Sequence, residues 1–272
     1  AQGDNYLLLA DYASYIACHE KVGQLYRAPA AWTRTRTPDA LLKPGDVVQV
    51  RIKTRDEEKK TFAGSLDQEP LAEAGFLAVD PKTGQIKAMI GGFSFRRSQL
   101  NRTTQTFRQP GSSIKPLLYT AALEHGFNPA SRIADEPTDF VDKWSGEPWT
   151  PKNFDRKFMG TVTLREGLED SRNVVTARLL DHISPQVGVD YCKRFGISST
   201  LYPYLSLSLG TFEVSLIDMV SAYSVFPNKG VRIRPYFITR IENREGNILE
   251  QHAVESDDVI SPQTAYLITY ML

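Results

Sequence analysis

What most constrains the fold of this chain is a change of pattern along it: strand–turn–strand stretches stand on either side of a long block with helical spacing. The first, Phe76-Leu-Ala-Val-Asp80, is followed by the turn Pro81-Lys-Thr-Gly84 and by Gln85-Ile-Lys-Ala-Met-Ile90, ending at Gly91-Gly92. Alternation around a Pro/Gly turn predicts a β-hairpin. Pro110-Gly111 then breaks the chain, and the spacing predicts a helix from Ser112 to Gly126, with Pro116 in its first turn and Gly126 as C-cap. Helical pieces follow around Ser171, from Ser184 to Phe195 before Gly196, and from Ser215 to Phe226, where Leu216, Val220 and Tyr223 share a face. A second hairpin is expected from Val231–Ile241 and Ile248-Leu249 around Glu245-Gly246-Asn247. Two hairpins around a helical block define an α+β domain with a largely antiparallel sheet.

Residues 1 to about 70 read differently. Tyr6-Leu-Leu-Leu-Ala10 and the alternating Asp46-Val-Val-Gln-Val-Arg-Ile-Lys53, after Lys43-Pro44-Gly45, suggest short strands of a small β-barrel-like domain. The charged run Lys53 to Lys60 reads as a solvated hairpin end, and Glu69-Pro70 closes the segment. The expected division is therefore 1–70 and 71–272.

The 272 residues are 41% hydrophobic and 24% charged, enough apolar content for a packed core. With 32 basic and 32 acidic side chains the formal net charge is zero, which argues against nucleic acid as a partner. Cys18 and Cys192 allow one disulfide at most and have no metal-ligand or redox spacing. His19, His125, His182 and His252 are scattered, so neither a metal nor a cofactor is called for. Trp144 and Trp149 near a Gly-Pro loop read as packing residues. After the cap Ser261-Pro-Gln-Thr264, an apolar helix runs into Leu272, from which a longer protein is expected.

Chemistry enters with Ser112-Ser113-Ile114-Lys115. On a helix, residues three apart share a face, so the lysine lies beside the Ser112 hydroxyl. Serine needs a base to become a nucleophile. Lysine serves only if burial or neighbouring positive charge lowers its pKa. On spacing alone the pair reads sooner as an N-cap serine with a surface lysine. Ser171-Arg172-Asn173 offers a second hydroxyl that can pass a proton and an amide that can bind a substrate. Its bland reading is an N-cap serine before a helix over Val174–Leu180.

Longer segments decide between these readings. Arg108-Gln-Pro-Gly-Ser-Ser-Ile-Lys-Pro-Leu-Leu-Tyr-Thr-Ala-Ala-Leu123 resembles the nucleophile segment of class A penicillin-binding proteins, the bifunctional cell-wall synthases. Leu77 to Gly92 is similar to the hairpin preceding it, and Gly160 to Asn173 to the approach to the family's Ser-x-Asn motif. Leu207 to Ser215 and Ala222 to Gly230 are similar to the segments that follow. The resemblance runs from about Glu69 to Leu272. It implies a penicillin-binding/serine transpeptidase fold, with helices on both faces of the sheet. It further implies Ser112 as nucleophile, Lys115 as its base, Ser171 as proton relay and Asn173 as ligand for the substrate amide.

The implied reaction is attack on a peptidoglycan stem peptide ending in D-Ala-D-Ala, loss of the last D-Ala, and transfer to the amine of a second stem peptide. β-Lactam antibiotics would acylate Ser112. The alternatives are a non-catalytic module that binds β-lactams or cell-wall peptides, and a β-lactam hydrolase. The implied location is the periplasmic face of the inner membrane, with an outer-membrane lipoprotein activator as a partner of residues 1–70.

Two departures from the family pattern stand out. Its third motif, Lys-Thr-Gly on a core strand, should follow Asn173, yet the only such triplet is Lys82-Thr83-Gly84, in a turn before Ser112. The site is therefore expected to be completed by polypeptide outside residues 1–272, from the same protein, a cleaved fragment or a second chain. The other departure is Gly167, where the family usually carries alanine.

Overall fold

The computed structural model describes residues 6–8, 46–56, 61–67, 70–141 and 146–272. Expectations for Cys18, His19, Lys43–Gly45, the hairpin tip 57–60, Glu69 and Trp144 lie outside these residues. The chain divides into two compact units, Ala1–Ala72 and Glu73–Leu272. In the first, β1 (Tyr6–Leu8), β2 (Val47–Asp56) and β3 (Thr61–Asp67) pair antiparallel in that order, with an irregularity in the β2–β3 register between Ile52 and Thr54.

The second unit opens with the hairpin of β4 (Phe76–Val79) and β5 (Ile86–Ile90). Its turn is built by Asp80, whose Oδ1 accepts the N–H groups of Lys82 at 2.9 Å and Thr83 at 3.3 Å. Gly84 completes it with φ 76°, a conformation glycine adopts without steric cost. Lys82-Thr83-Gly84 is thus a turn element, as its position after Pro81 implied.

After β6 (Phe107–Arg108) the chain enters a 3-10 turn, Gly111–Ile114, and then α1 (Lys115–Glu124). The single helix expected from Ser112 is corrected here. Pro116 has no N–H to give the Ser112 carbonyl, so the Lys115 N–H takes that acceptor instead and the turn tightens. Every residue of α1 from Lys115 to Ala122 is buried. Gly126, at φ 94°, ends it as expected, and the Phe127 N–H reaches back to the Ala122 carbonyl at 3.1 Å.

β7 (Arg132–Asp135) pairs antiparallel with β10 (Gly160–Thr163), while β8 (Phe140–Val141) and β9 (Pro148–Trp149) form a small hairpin between them. Trp149 packs on Phe140 with ring centroids 5.8 Å apart. α2 (Leu164–Glu169) starts with a capping box in which Thr163 and Glu166 satisfy each other's backbone N–H. Its Gly167 has a packing reason: a methyl group there would stand 2.7 Å from Val175 Cγ1 and 3.1 Å from the Tyr119 hydroxyl.

α3 (Asn173–Ile183) and α4 (Pro185–Arg194) follow, then a 3-10 segment Leu205–Leu209. β11 (Val214–Ser215) pairs with β6 and leads into α5 (Leu216–Ser224). α3, α4 and the last helix, α6 (Pro262–Met271), pack around α1. Leu117, Leu118, Leu179, Leu180 and Ile268 are fully enclosed there, each contributing about 1.5–3 kcal/mol by burial.

The second hairpin is wider than the sequence suggested. β12 (Val231–Ile233) pairs with β15 (Ser256–Asp258), and β13 (Arg240–Glu242) with β14 (Ile248–Gln251) as an inner hairpin around Gly246. All ladders between these strands are antiparallel, and with the helical block they make an α+β fold.

Candidate active site

Ser112 lies exposed in the 3-10 turn, and its hydroxyl makes no hydrogen bond among the described residues. A 3-10 turn repeats every three residues, so Lys115 stands on the same side one turn later. The turn is held from outside. Gly111, at φ 56°, donates its N–H to the Gly210 carbonyl at 3.3 Å, and the Tyr223 hydroxyl donates to the Ser113 carbonyl at 2.7 Å. Burial pushes the Tyr223 pKa up to about 12, which keeps it a donor. The Ser113 hydroxyl is already engaged, donating to the Pro110 carbonyl.

Lys115 is only 1% exposed, an unusual place for an ammonium group. Its Nζ donates to three oxygens from the α3 approach: the Ser171 carbonyl at 2.6 Å, Ser171 Oγ at 3.1 Å and Asn173 Oδ1 at 2.8 Å. All three partners are formally neutral. Burial therefore lowers the Lys115 pKa to about 8, helped by the positive charge of Arg172. At pH 7 about one molecule in ten then carries a neutral amine, against roughly one in two thousand for an unperturbed lysine.

Ser171 adopts a left-handed conformation, φ 50°, which turns both its carbonyl and its hydroxyl toward Lys115. It is not the helix cap. Arg172 occupies the N-cap position and makes no side-chain cap bond, and the helix begins at Asn173. The Asn173 amide is fixed from both ends, Oδ1 facing Lys115 and Nδ2 donating to the Lys152 carbonyl at 2.9 Å.

Behind this triad lies a polar network that the sequence did not reveal. Arg172 points inward, donating from Nε to Asp135 Oδ2 at 2.9 Å, from a terminal nitrogen to Asp155 Oδ2 at 3.1 Å, and to the Lys157 carbonyl. Burial works against its charge, but the bonds to Asp155 and Asp135 outweigh burial and raise its pKa. Asp135 is fully enclosed and also accepts from Met159 N at 3.0 Å. Asn153, 3% exposed, donates to Asp135 Oδ1 at 2.7 Å and accepts from the N–H groups of Asn173 and Val174. Pro151-Lys152-Asn153 carries no motif and no periodicity that would single out Asn153.

Other candidate groups lie elsewhere. Cys192 is a free, buried thiol whose pKa burial pushes up to about 12. His125 and His182 each bond a carbonyl of their own helix at 2.7 Å. Among the described residues no group of three or more His, Cys, Asp or Glu side chains could hold a metal ion. No helix among them is long and apolar enough to cross a membrane.

An α+β frame carrying a serine one turn ahead of a buried lysine, itself tied to a Ser-x-Asn segment, describes a class of serine acyl-transfer folds. The chain belongs to the penicillin-binding protein transpeptidase domain family, whose description matches residues 74–272. Penicillin-binding protein 1A of Pseudomonas aeruginosa is 40% identical over 217 residues, covering 79% of this chain and 26% of that protein. Penicillin-binding protein 1A of Aquifex aeolicus is 40% identical over 196 residues, 72% of this chain and 27% of that protein. The chain thus spans about a quarter of the length of these relatives. Among solved structures, penicillin-binding protein 1A from Haemophilus influenzae superposes with a TM-score of 0.74 at 28% identity, covering 85% of this chain and 38% of that one.

Proposed function

We propose that this chain carries the acylation half of a D,D-transpeptidase site, with Ser112 as nucleophile, Lys115 as base, Ser171 as proton relay and Asn173 as ligand for the substrate amide. The observation that supports it most is the convergence of Lys115 Nζ on Ser171 and Asn173, 56 and 58 residues further along the chain. Neutral Lys115 takes the Ser112 hydroxyl proton as Oγ attacks the carbonyl of the penultimate D-Ala. The tetrahedral oxyanion receives the Ser112 backbone N–H, a donor at the start of its helical turn where intrahelical acceptors are lacking. Collapse breaks the peptide bond, and the proton passes from Lys115 through Ser171 Oγ to the departing D-Ala amine. The amine of a second stem peptide then attacks the ester, releasing Ser112 and forming the cross-link. A β-lactam enters the same path, and its ring amide opens onto Ser112.

The reading includes a third wall, the Lys-Thr-Gly strand, supplied by polypeptide outside residues 1–272. The turn geometry of Lys82-Thr83-Gly84 supports this, because Asp80 holds the triplet at a hairpin tip. Peptidoglycan as substrate places the site on the extracytoplasmic side. Labelling of the intact protein with a fluorescent penicillin tests the assignment. Ser112→Ala should abolish the label and Ser113→Ala should retain it; equal labelling of wild type and Ser112→Ala would refute it.

A further inference from the structure

α3 begins without a cap of its own, since the Arg172 side chain turns away to Asp135 and Asp155. Its first N–H groups are nonetheless satisfied. Asn153 Oδ1, from the loop after β9, accepts from Asn173 N at 2.8 Å and Val174 N at 3.3 Å. The same carboxamide gives its two N–H bonds to Asp135 Oδ1 at 2.7 Å and the Lys157 carbonyl at 2.9 Å. Both donors and the acceptor oxygen are used, so the group has one orientation in its buried pocket. The preceding residue grips the same target, the Lys152 carbonyl accepting from Asn173 Nδ2 at 2.9 Å.

We infer that Asn153 is a positioning residue for acyl transfer: it caps α3 from a separate loop and thereby holds the Asn173 amide and the Ser171 turn against Lys115. The inference rests on the functional reading above. Its physical content is a division of labour. Most helix caps are supplied by the residue next to the helix and move with it. Here the cap comes from 20 residues away and is anchored on the buried Asp135, so the helix start is tied to β7. Without that tie, the Asn173 and Val174 N–H groups must find water, and the turn carrying Ser171 at φ 50° is left to its own bonds back to α2 and to Lys115, with its α3 side released. Small displacements of a catalytic group from its working geometry lower rate far more than they lower binding.

The test is stopped-flow acylation of the intact protein by a fluorescent penicillin, with Asn153→Ala and Asn153→Ser compared with wild type. Limiting rate constant, half-saturating concentration and final labelled fraction are read separately. Both variants are expected to label nearly completely, with a limiting rate at least tenfold lower and a half-saturating concentration within about threefold of wild type. Amide hydrogen exchange at Asn173 and Val174 should accelerate in parallel. A purely structural role would lower the labelled fraction and leave the rate of the folded molecules unchanged. The serine variant keeps an oxygen in the pocket and serves if the alanine variant is too unstable. A wild-type limiting rate in either folded variant, or slowing with unchanged exchange at these two amides, would overturn the inference. Labelling that survives Ser112→Ala would instead remove the reading on which it rests.

Discussion

Gly210 packs directly on Gly111: a methyl group on Gly210 would stand 2.3 Å from the Gly111 carbonyl oxygen and 2.7 Å from its nitrogen. Gly210 is also left-handed, φ 62°, and its carbonyl receives the Gly111 N–H. The segment before β11 is therefore a mould for the turn that presents Ser112. Gly210→Ala should cost about 2 kcal/mol or more of stability and slow penicillin acylation at least tenfold, because a backbone contact cannot yield as a side chain can. Urea denaturation and labelling kinetics check this, and a variant acylated at the wild-type rate would contradict the mould.

With Lys115 as the proposed base, its depressed pKa predicts the pH dependence of acylation. Acylation should rise with pH through a midpoint near 8, as the ammonium loses its proton and the base becomes competent. The sign for stability is the same. The unfolded chain keeps this proton up to about 10.4, whereas the folded site releases it near 8, so folding gains stability as pH rises between those values. Below pH 8 the buried ammonium costs roughly 3 kcal/mol. A limiting acylation rate that is flat from pH 6 to 9, or a Lys115 Cε resonance titrating near 10.4, would contradict this.

Asp135 and Arg172 form a buried ion pair, and only Asp155 among the partner carboxylates reaches solvent. Asp135→Ala leaves Arg172 only the half-exposed Asp155 and the Lys157 carbonyl, and removes one of the two acceptors of the Asn153 amide. A loss of about 3–5 kcal/mol is expected, visible as a lower urea midpoint with an unchanged slope. A midpoint within error of wild type would show that Arg172 finds another partner at no cost.

Ser171 carries two separable properties, a hydroxyl and a strained backbone. Ser171→Ala should slow acylation by about 10²–10⁴ as the relay is lost, while Lys115 keeps the Ser171 carbonyl and Asn173 as partners. Ser171→Gly should be as slow, yet more stable than the alanine variant by about 1 kcal/mol, since glycine accepts φ 50° freely. Acylation of either variant at the wild-type rate would exclude the hydroxyl from proton transfer.

The sequence made some of these features plain and hid others for physical reasons. Phe76–Ile90 announced its hairpin because a Pro-x-x-Gly turn interrupts an alternating run, whereas the spacing of Ser112, Lys115, Ser171 and Asn173 left cap and surface readings open, and the longer family-like segments around them singled them out. Ser256–Asp258 was missed as a strand because all three residues are exposed and polar, and pair with β12 through backbone bonds and the Arg232–Asp257 ion pair, leaving no apolar alternation to read. The 3-10 turn at Ser112 depended on which N–H Pro116 lacks, a consequence of one missing hydrogen bond. Asn153 and Asp135 were hidden because their partners lie 18 to 37 residues away in strand, loop and helix, where no periodicity connects them.

The burial of α1 separates two kinds of mutation. From Lys115 to Ala122 the helix has no solvent-facing side, so a change of volume there disturbs core packing as well as the proposed base that begins the helix. Selection acting on reactivity alone has little room in that element. The loop from Lys152 to Lys157 offers more: it touches Asn173 through Asn153 and Lys152, yet Phe154, Asp155 and Arg156 are exposed. On the proposed reading, variants that alter which acyl donors react, while leaving the protein as durable as before, should therefore accumulate in that loop and stay rare along α1.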